Sequence, residues 1–307
     1  MTRRMRIDDL TDLAVPSQPA LSPDGDRVAY VLRTLDREAD RPVDELWTVP
    51  TAGGTPRRLT AGPSDTAPAW SPDGSHLAFL RDGQVHVLAV GGPDGGALER
   101  LTDLPLGAGA PAWSPDGSRL AFSAPVDPAG QHAQAPLVAA RLDYQADGAG
   151  MFGAVRNQLH VVEVATRACR AVTHGTEHAG QPAWSPDGRT LAFTRKVGAD
   201  SDLTFRTAVH VLDVDERKAL PRVVALAGGV AGTVSFARDG GSLLVVGYPG
   251  DPVGHQHLLR VPLDGGEPVS LTGHLDRNVM AGGPAYPGGR PQEDGDGRLL
   301  FCLRDRG

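Results

Sequence analysis

The phrase Pro-Ala-Trp-Ser-Pro-Asp-Gly occurs three times, in PAWSPDGSHLAFL at 68–80, PAWSPDGSRLAFS at 111–123 and PAWSPDGRTLAFT at 182–194. Looser copies flank these. They are LSPDGDRVAYV around Ser22, VSFARDGGSLLVV with Ala237 in the serine's place, and EDGDGRLLFCL, whose Asp296-Gly297 aligns with Asp187-Gly188. The turn positions Ser22, Ser71, Ser114, Ser185 and Ala237 follow one another at 49, 43, 71 and 52 residues. Periods of about 40–50 residues with four short strands each are those of β-propeller blades. Repetition constrains the fold more than any single residue, because each unit must bury its faces against the next.

Each copy parses as strand, tight turn, strand. Proline presets φ near −65° at the second turn position, the Ser and Asp side chains bond nearby amides, and glycine tolerates the turn's exit. Leu77, Ala78 and Phe79 then lead into a third strand, QVHVLAV, and ERLT closes a fourth. Blade strands pack on both faces and should therefore be apolar on both sides, as LAFL, LAFS and LLVVG are. Trp70, Trp113 and Trp184 fall at one place in their repeats, and that recurrence assigns them to packing between blades rather than to stacking on a cofactor or carbohydrate. The predicted fold class is all-β, one β-propeller domain over 1–307 built of four-stranded blades. Five blades are expected at about 19–60, 66–102, 109–173, 180–226 and 231–272, with an incomplete sixth at 279–307.

The third repeat exceeds the second by 28 residues, and the excess, about 124–157, contains RLDYQADGAGMFGAVRNQ ahead of the strand LHVVEV. Insertions in repeat proteins project from one face, often the binding face. A functional loop and a long strand connection both fit this stretch.

Composition bounds the partners. With 37 acidic against 30 basic residues the net charge is −7, which argues against a nucleic-acid or anionic-membrane surface. Cys169 and Cys302 lie too far apart in sequence to suggest a disulfide framework or a CxxC metal site, so a reducing compartment is expected. The start, MTRRMRIDDLTDLAVPSQPA, places Asp8, Asp9 and Asp12 where a signal peptide needs an apolar core. No stretch approaches the ~18–20 apolar residues of a membrane helix. A cytoplasmic protein is expected.

Motifs that carry chemistry are missing. There is no GxSxG, Walker A, dinucleotide-binding fingerprint or HExxH. His174 and His178 in HGTEH are four apart but in a loop, where that spacing does not bring ligands together as it does on a helix. His255 and His257 in HQH share a face of an extended chain without a third ligand in view. EDGDG at 293–297 lacks calcium-loop spacing and coincides with a blade turn. The expectation is no catalytic residue, no cofactor and no metal in this chain.

The SPDG…LAF phrase resembles the propeller repeats of TolB-like proteins and of the prolyl oligopeptidase family of serine peptidases. The opening MRIDDLTDLAVPSQPALSPDGDRVAYVL, the stretch ELWTVPTAGGTPRRLT and the insertion RLDYQADGAG followed by NQLHVVEV are similar to the acylaminoacyl-peptidase-like branch. The resemblance implies a seventh blade and a C-terminal α/β-hydrolase domain holding the catalytic triad, none of whose positions lies in these residues. It implies a propeller that caps an active site, limits access to short or unfolded peptides and orients substrate. By that analogy Arg141, Asp143, Tyr144 and Arg156 are the candidates to face a peptide substrate, an arginine pairing with a peptide carboxylate. Local salt bridges on a solvated loop are the other reading of the same residues. GRLLFCLRDRG ends in a turn after a second strand, so the expectation is an N-terminal piece of a longer polypeptide with an unpaired apolar edge. Two further readings stand beside the peptidase: a stand-alone TolB-like module for protein–protein interaction, and a channel enzyme of the lyase or lactonase kind. The latter needs a repeated position supplying His, Asp or Glu from several blades, and none is expected here.

Overall fold

The computed structural model describes residues 4, 6–91, 96–128, 139, 141–146, 150–151, 153–216, 218–283 and 286–305. By backbone packing these fall into two units. One is Met1–Leu120 with Val162–Cys169, the other Ala121–Val161 with Arg170–Gly307. Apart from two short 3-10 turns, at Ile7–Asp12 and Ser201–Leu203, the regular structure is β.

In the first unit β1 (Val15–Leu21), β2 (Arg27–Asp36), β3 (Arg41–Pro50) and β4 (Arg57–Arg58) form a four-stranded sheet in chain order. A second sheet repeats that order with β5 (Thr66–Trp70), β6 (His76–Arg81), β7 (Gln84–Ala89) and β8 (Leu98–Arg100), antiparallel throughout. The third runs through β9 (Ala112–Trp113) and β10 (Arg119–Val126). The chain then enters the insertion, which carries the antiparallel pair β11 (Gln145–Ala146) and β12 (Gly150–Met151). It returns to the sheet as β13 (Arg156–Glu163) and β14 (Cys169–Ala171), and the residues of this sheet divide between the two units. Four-stranded antiparallel sheets at repeat spacing are what the phrase count anticipated.

In the second unit β15 (Ala183–Trp184), β16 (Thr190–Lys196), β17 (Thr207–Asp213) and β18 (Arg222–Ala225) make the next repeat. β19 (Val230–Phe236), β20 (Ser242–Tyr248), β21 (His257–Pro262) and β22 (Val269–Ser270) follow. One parallel pair, Thr207 with Val230, joins these two repeats into a single eight-stranded sheet. Beyond residue 277 no four-stranded sheet forms among the described residues. Three two-stranded ladders take its place. β23 (Asn278–Val279) pairs with β28 (Leu303–Arg304), β24 (Ala281–Gly283) with β25 (Tyr286–Gly288), and β26 (Gln292–Glu293) with β27 (Leu299–Leu300). The sequence AGGPAYPGGRP at 281–291 explains the brevity, since glycine and proline weaken and interrupt strands. Leu303 and Arg304 lie in a strand, paired with Val279 and Asn278.

The repeated turn is built by one hydroxyl. Ser71 Oγ donates to Asp73 Oδ1 at 2.6 Å and accepts the His76 N–H at 2.9 Å, while the Gly74 N–H closes onto the Ser71 carbonyl at 2.9 Å. Ser114 repeats the arrangement with Asp116, Arg119 and Gly117. Ser185 does so with Asp187, Thr190 and Gly188. The glycine at the exit has φ of +70° in the Ser71 copy and +71° in the Ser185 copy, a conformation that a β-carbon disfavours. Behind the turn, Leu77, Ala78 and Phe79 are all completely buried, as are Leu191, Ala192 and Phe193 and the run Leu243–Val246. Consecutive burial, rather than alternation, means that both faces of these strands are covered.

The tryptophans pack as expected within the first unit. The Trp70 indole N–H donates to the Ala20 carbonyl at 3.0 Å and the Trp113 indole to Ala69 at 2.9 Å, each tying a repeat to the first strand of the preceding one. Trp184 is buried too. A threonine at the end of each of four repeats closes the opposite edge: Thr60, Thr102, Thr173 and Thr272 accept the backbone N–H of Leu46, Val85, Leu159 and Leu258 at 2.8–3.0 Å.

Candidate functional site

A position that sequence reading missed does recur. QVHVLAV, QLHVVEV and AVHVLDV place His86, His160 and His210 at the same step of β7, β13 and β17. Each ring stacks on the phenylalanine of the second strand, with centroids 5.8 Å apart for Phe79–His86 and Phe122–His160 and 5.5 Å for Phe193–His210. Nδ1 of each lies within hydrogen-bond reach of the carbonyl two residues earlier. Burial pushes all three below the usual histidine range, so they are neutral packing groups at pH 7. The signal was in the sequence, as three His-Val dipeptides, but at the uneven distances of 15, 46 and 25 residues from the turn serine.

The insertion is anchored by charge, entirely within the second unit. Arg141 forks onto Asp143, with Nε–Oδ1 at 2.9 Å and Nη2–Oδ2 at 3.1 Å. Its Nη1 reaches Glu177 Oε1 at 3.0 Å and its Nη2 donates to Ser201 Oγ, also at 3.0 Å. Ser201, fully buried, donates onward to Glu177 Oε1, and the Leu142 N–H bonds Asp202 Oδ2 at 3.0 Å. Lys196 Nζ lies 3.7 Å from Asp143. The hydrogen bonds from Arg141 hold the Asp143 carboxyl down at about 2, and those of Asp143 in turn push the guanidinium up. Three segments meet here: the insertion, the loop before β15 and the short turn after β16. Nε, Nη1 and Nη2 of the guanidinium thus each have a side-chain oxygen partner.

Arg156, at the start of β13, is buried and donates to three backbone oxygens, those of Thr176 (2.8 Å), Gly153 (2.8 Å) and Val155 (2.7 Å). It braces the loop that also presents Glu177. Tyr144 is half-buried beside Asp143 in sequence. Of the predicted four, Arg141 and Asp143 are in direct contact, and Arg156 meets the same 176–177 loop through its backbone. Leu142 and Met151 stand exposed on the insertion, as do Leu203 and Phe205 after the Ser201 turn. Much of the insertion's length, 129–138, 140, 147–149 and 152, lies outside the described residues.

The remaining sequence candidates have local partners. His178 Nδ1 accepts the Asn157 N–H at 3.1 Å, and the His174 carbonyl accepts from Arg195. His255 pairs with Asp276 and His257 with Ser270. Asp294 of EDGDG takes the serine's part in the last turn, accepting the Arg298 N–H at 2.8 Å. Among the described residues no group of three or more His, Cys, Asp and Glu side chains converges as a metal site, and Cys169 and Cys302 are unbridged. No helix of the described residues is long and apolar enough to cross a membrane.

Comparison with known proteins agrees with this architecture. The family described as lipoprotein LpqB beta-propeller domain matches residues 6–172. The uncharacterized peptidase YuxL of Bacillus subtilis (strain 168) is 31% identical over 225 residues, covering 69% of this chain and 34% of that protein. Among solved structures, acylaminoacyl peptidase from Pyrococcus horikoshii superposes with a TM-score of 0.72 at 16% identity, over 96% of this chain and 43% of its own. The β-propeller domain of the Trilobed protease from Pyrococcus furiosus gives 0.62 at 16% identity, over 97% and 79%. The chain spans about a third of the length of YuxL and less than half of the acylaminoacyl peptidase. The chain therefore belongs to the LpqB-type β-propeller family, and its repeats are similar to those of a peptidase.

Proposed function

We propose that residues 1–307 serve as the gate and scaffold of a cytoplasmic serine peptidase that hydrolyses short peptides or acyl-peptides, with its catalytic groups in a hydrolase domain outside these residues. One observation carries the reading: the 31% identity to a peptidase of which this chain matches only a third. In this reading the five full repeats and the shorter ladders after residue 277 act as five blades and part of a sixth. The insertion faces the substrate. Arg141, Asp143 and Arg156 hold its base, and Tyr144 with the exposed Leu142 and Met151 offers the contact surface. A stand-alone TolB-like interaction module is the competing reading, and no observation favours it over the first.

The test compares the chain alone with a polypeptide that continues into a hydrolase domain. The longer protein is expected to cleave N-acetyl-dipeptide and acylaminoacyl p-nitroanilide substrates and to be inactivated by a serine-directed reagent. Its rate should drop on peptides too long to pass a propeller. Residues 1–307 alone are expected to give no turnover. Serine-dependent hydrolysis by the purified chain itself, or a longer protein indifferent to substrate length, would overturn the gate.

A further inference from the structure

A second site lies in the second unit, away from the insertion. Gly180, Gln181, Thr194, Gly232, Thr233 and Arg290 line a cavity of about 450 Å³. Four of its ten wall residues are glycines, so backbone rather than side chains forms much of the wall. The volume falls in the range of small-molecule pockets, roughly 300–1,000 Å³, and suits a ligand the size of a dipeptide.

Arg290 sets its chemistry. The guanidinium is bonded only to neutral oxygens, the Pro182 carbonyl at 2.6 Å from Nη1 and Gln181 Oε1 at 3.3 Å from Nη2. Arg81 forks onto Asp65 at 2.7 Å on both arms, Arg141 forks onto Asp143, and Arg260 reaches Glu293 at 3.2 Å, whereas Arg156 and Arg195, like Arg290, donate to backbone carbonyls; of these arginines Arg290 is the one that lines this cavity. Among the described residues Arg290 has no such counter-ion. Burial therefore disfavours its charged form, yet an arginine does not release its proton in a protein. A cation held in a cavity wall without an anion is stabilised by whatever anion enters.

We propose that this cavity binds the carboxylate of a peptide, with Arg290 as the residue that receives it. A single guanidinium with no second cation in the lining matches one negative charge, whereas a phosphate dianion would remain half neutralised. The planar fork of arginine fits two carboxylate oxygens. The hydroxyls of Thr194 and Thr233 and the Gln181 amide supply the hydrogen-bonding groups a peptide backbone needs beside it. That the ligand is a peptide rests on the peptidase reading. That it carries a carboxylate does not.

Calorimetric titration of residues 1–307 at pH 7 tests this with three probes: N-acetyl-Ala-Ala, its C-terminal amide, and N-acetyl-Asp-Ala-amide. The free acid is expected to bind about tenfold or more tighter than the amide. Arg290→Gln should abolish that difference, and Arg290→Lys should retain part of it. A match between the Asp probe and the free acid assigns the site to acidic side chains, and a preference for the free acid assigns it to C-termini. Either result supports the proposal. Equal binding of acid and amide, no binding of either carboxylate probe, or an unchanged preference in Arg290→Gln overturns it. Should Arg290→Gln fail to fold, the acid–amide comparison on the wild-type chain decides. Acetate binding as tightly as both peptide acids would keep the carboxylate site and remove the peptide. Peptide cleavage by the longer protein with no carboxylate preference here would keep the peptidase and remove the site.

Discussion

Asp65 and Ala179 occupy the same step of their repeats, each six residues ahead of the turn serine, yet they leave different arginines behind. Asp65 is completely buried and closes both arms of Arg81, which is pushed up by the pair and also lies over the Phe79 ring. Arg195 at the corresponding step of β16 donates to the His174 carbonyl, and burial pulls it down against the opposing charge of Glu177. Removing one partner of a buried pair strands the other charge. Asp65→Ala is accordingly expected to lower unfolding stability by about 3 kcal/mol in urea titration. A change under 1 kcal/mol would show that the fork contributes little. The turn serines are more forgiving, because in the Ala237 copy the Gly240 N–H still closes onto the Ala237 carbonyl at 3.0 Å without a hydroxyl. Ser114→Ala should cost about 1–2 kcal/mol, the loss of a buried acceptor for the Arg119 N–H. These turn bonds span two to five residues and were legible in the sequence, whereas the Arg81–Asp65 fork was not. Nothing in the local pattern separates a buried aspartate from a solvated one.

At the scale of the element, the same four-strand unit is closed at its edge by threonine. Thr173 accepts the Leu159 N–H and donates to Gln158 Oε1, and all three residues are buried. Thr173→Val keeps shape but leaves an amide unanswered, so a loss of about 1–3 kcal/mol is expected, with faster exchange of the Leu159 amide in deuterium-exchange mass spectrometry. A variant as protected as wild type at that amide would sink the edge-closing role. The insertion behaves differently, since among its described residues β11 and β12 make two pairs, Gln145 with Met151 and Ala146 with Gly150. Side-chain bonds anchor it at Arg141. Arg141→Ala is expected to speed exchange across 145–151 while leaving β16 and β17 unchanged. Uniform exchange in wild type and variant would mean that the insertion holds itself. Repeat length revealed that something was inserted here. It could not reveal the anchor, because Glu177 and Ser201 lie 36 and 60 residues from Arg141 along the chain.

Across the whole molecule, titration should make stability fall in two stages on acidification. His86, His160 and His210 have lowered values because they are buried, with Arg81 and Arg100 near His86, His174 near His160 and Arg195 near His210 acting in the same direction. A lowered histidine leaves the unfolded chain to take the proton first, so its contribution is complete above the unfolded value of ~6.5 and is lost as pH falls through the folded one. The turn aspartates Asp24, Asp73, Asp116 and Asp187 are lowered chiefly by the serine hydroxyls, Asp116 to about 2. Their contribution is complete above ~3.9 and disappears as pH approaches the folded values. The urea midpoint is thus expected to decline between pH 7 and 5 and again below pH 4. His160→Phe should make the first decline shallower, since His86 and His210 remain, while leaving the second. A midpoint constant from pH 7 to 5 would contradict the histidine assignment.

What the sequence by itself determined is the repeat and therefore the fold class. Ser-Pro-Asp-Gly followed by an apolar triplet dictates turn and strand through bonds no longer than five residues, and its recurrence requires units that bury one another. Family membership rests on the same residues. What only the tertiary structure decided is where charge ends up. Arg141 meets a carboxylate brought from another loop, Arg81 a buried aspartate, and Arg290 the neutral oxygens of Pro182 and Gln181 in a cavity wall. The reason is physical. Turn and strand preferences act between near neighbours, while the fate of a long side chain depends on which distant segments the sheets bring beside it.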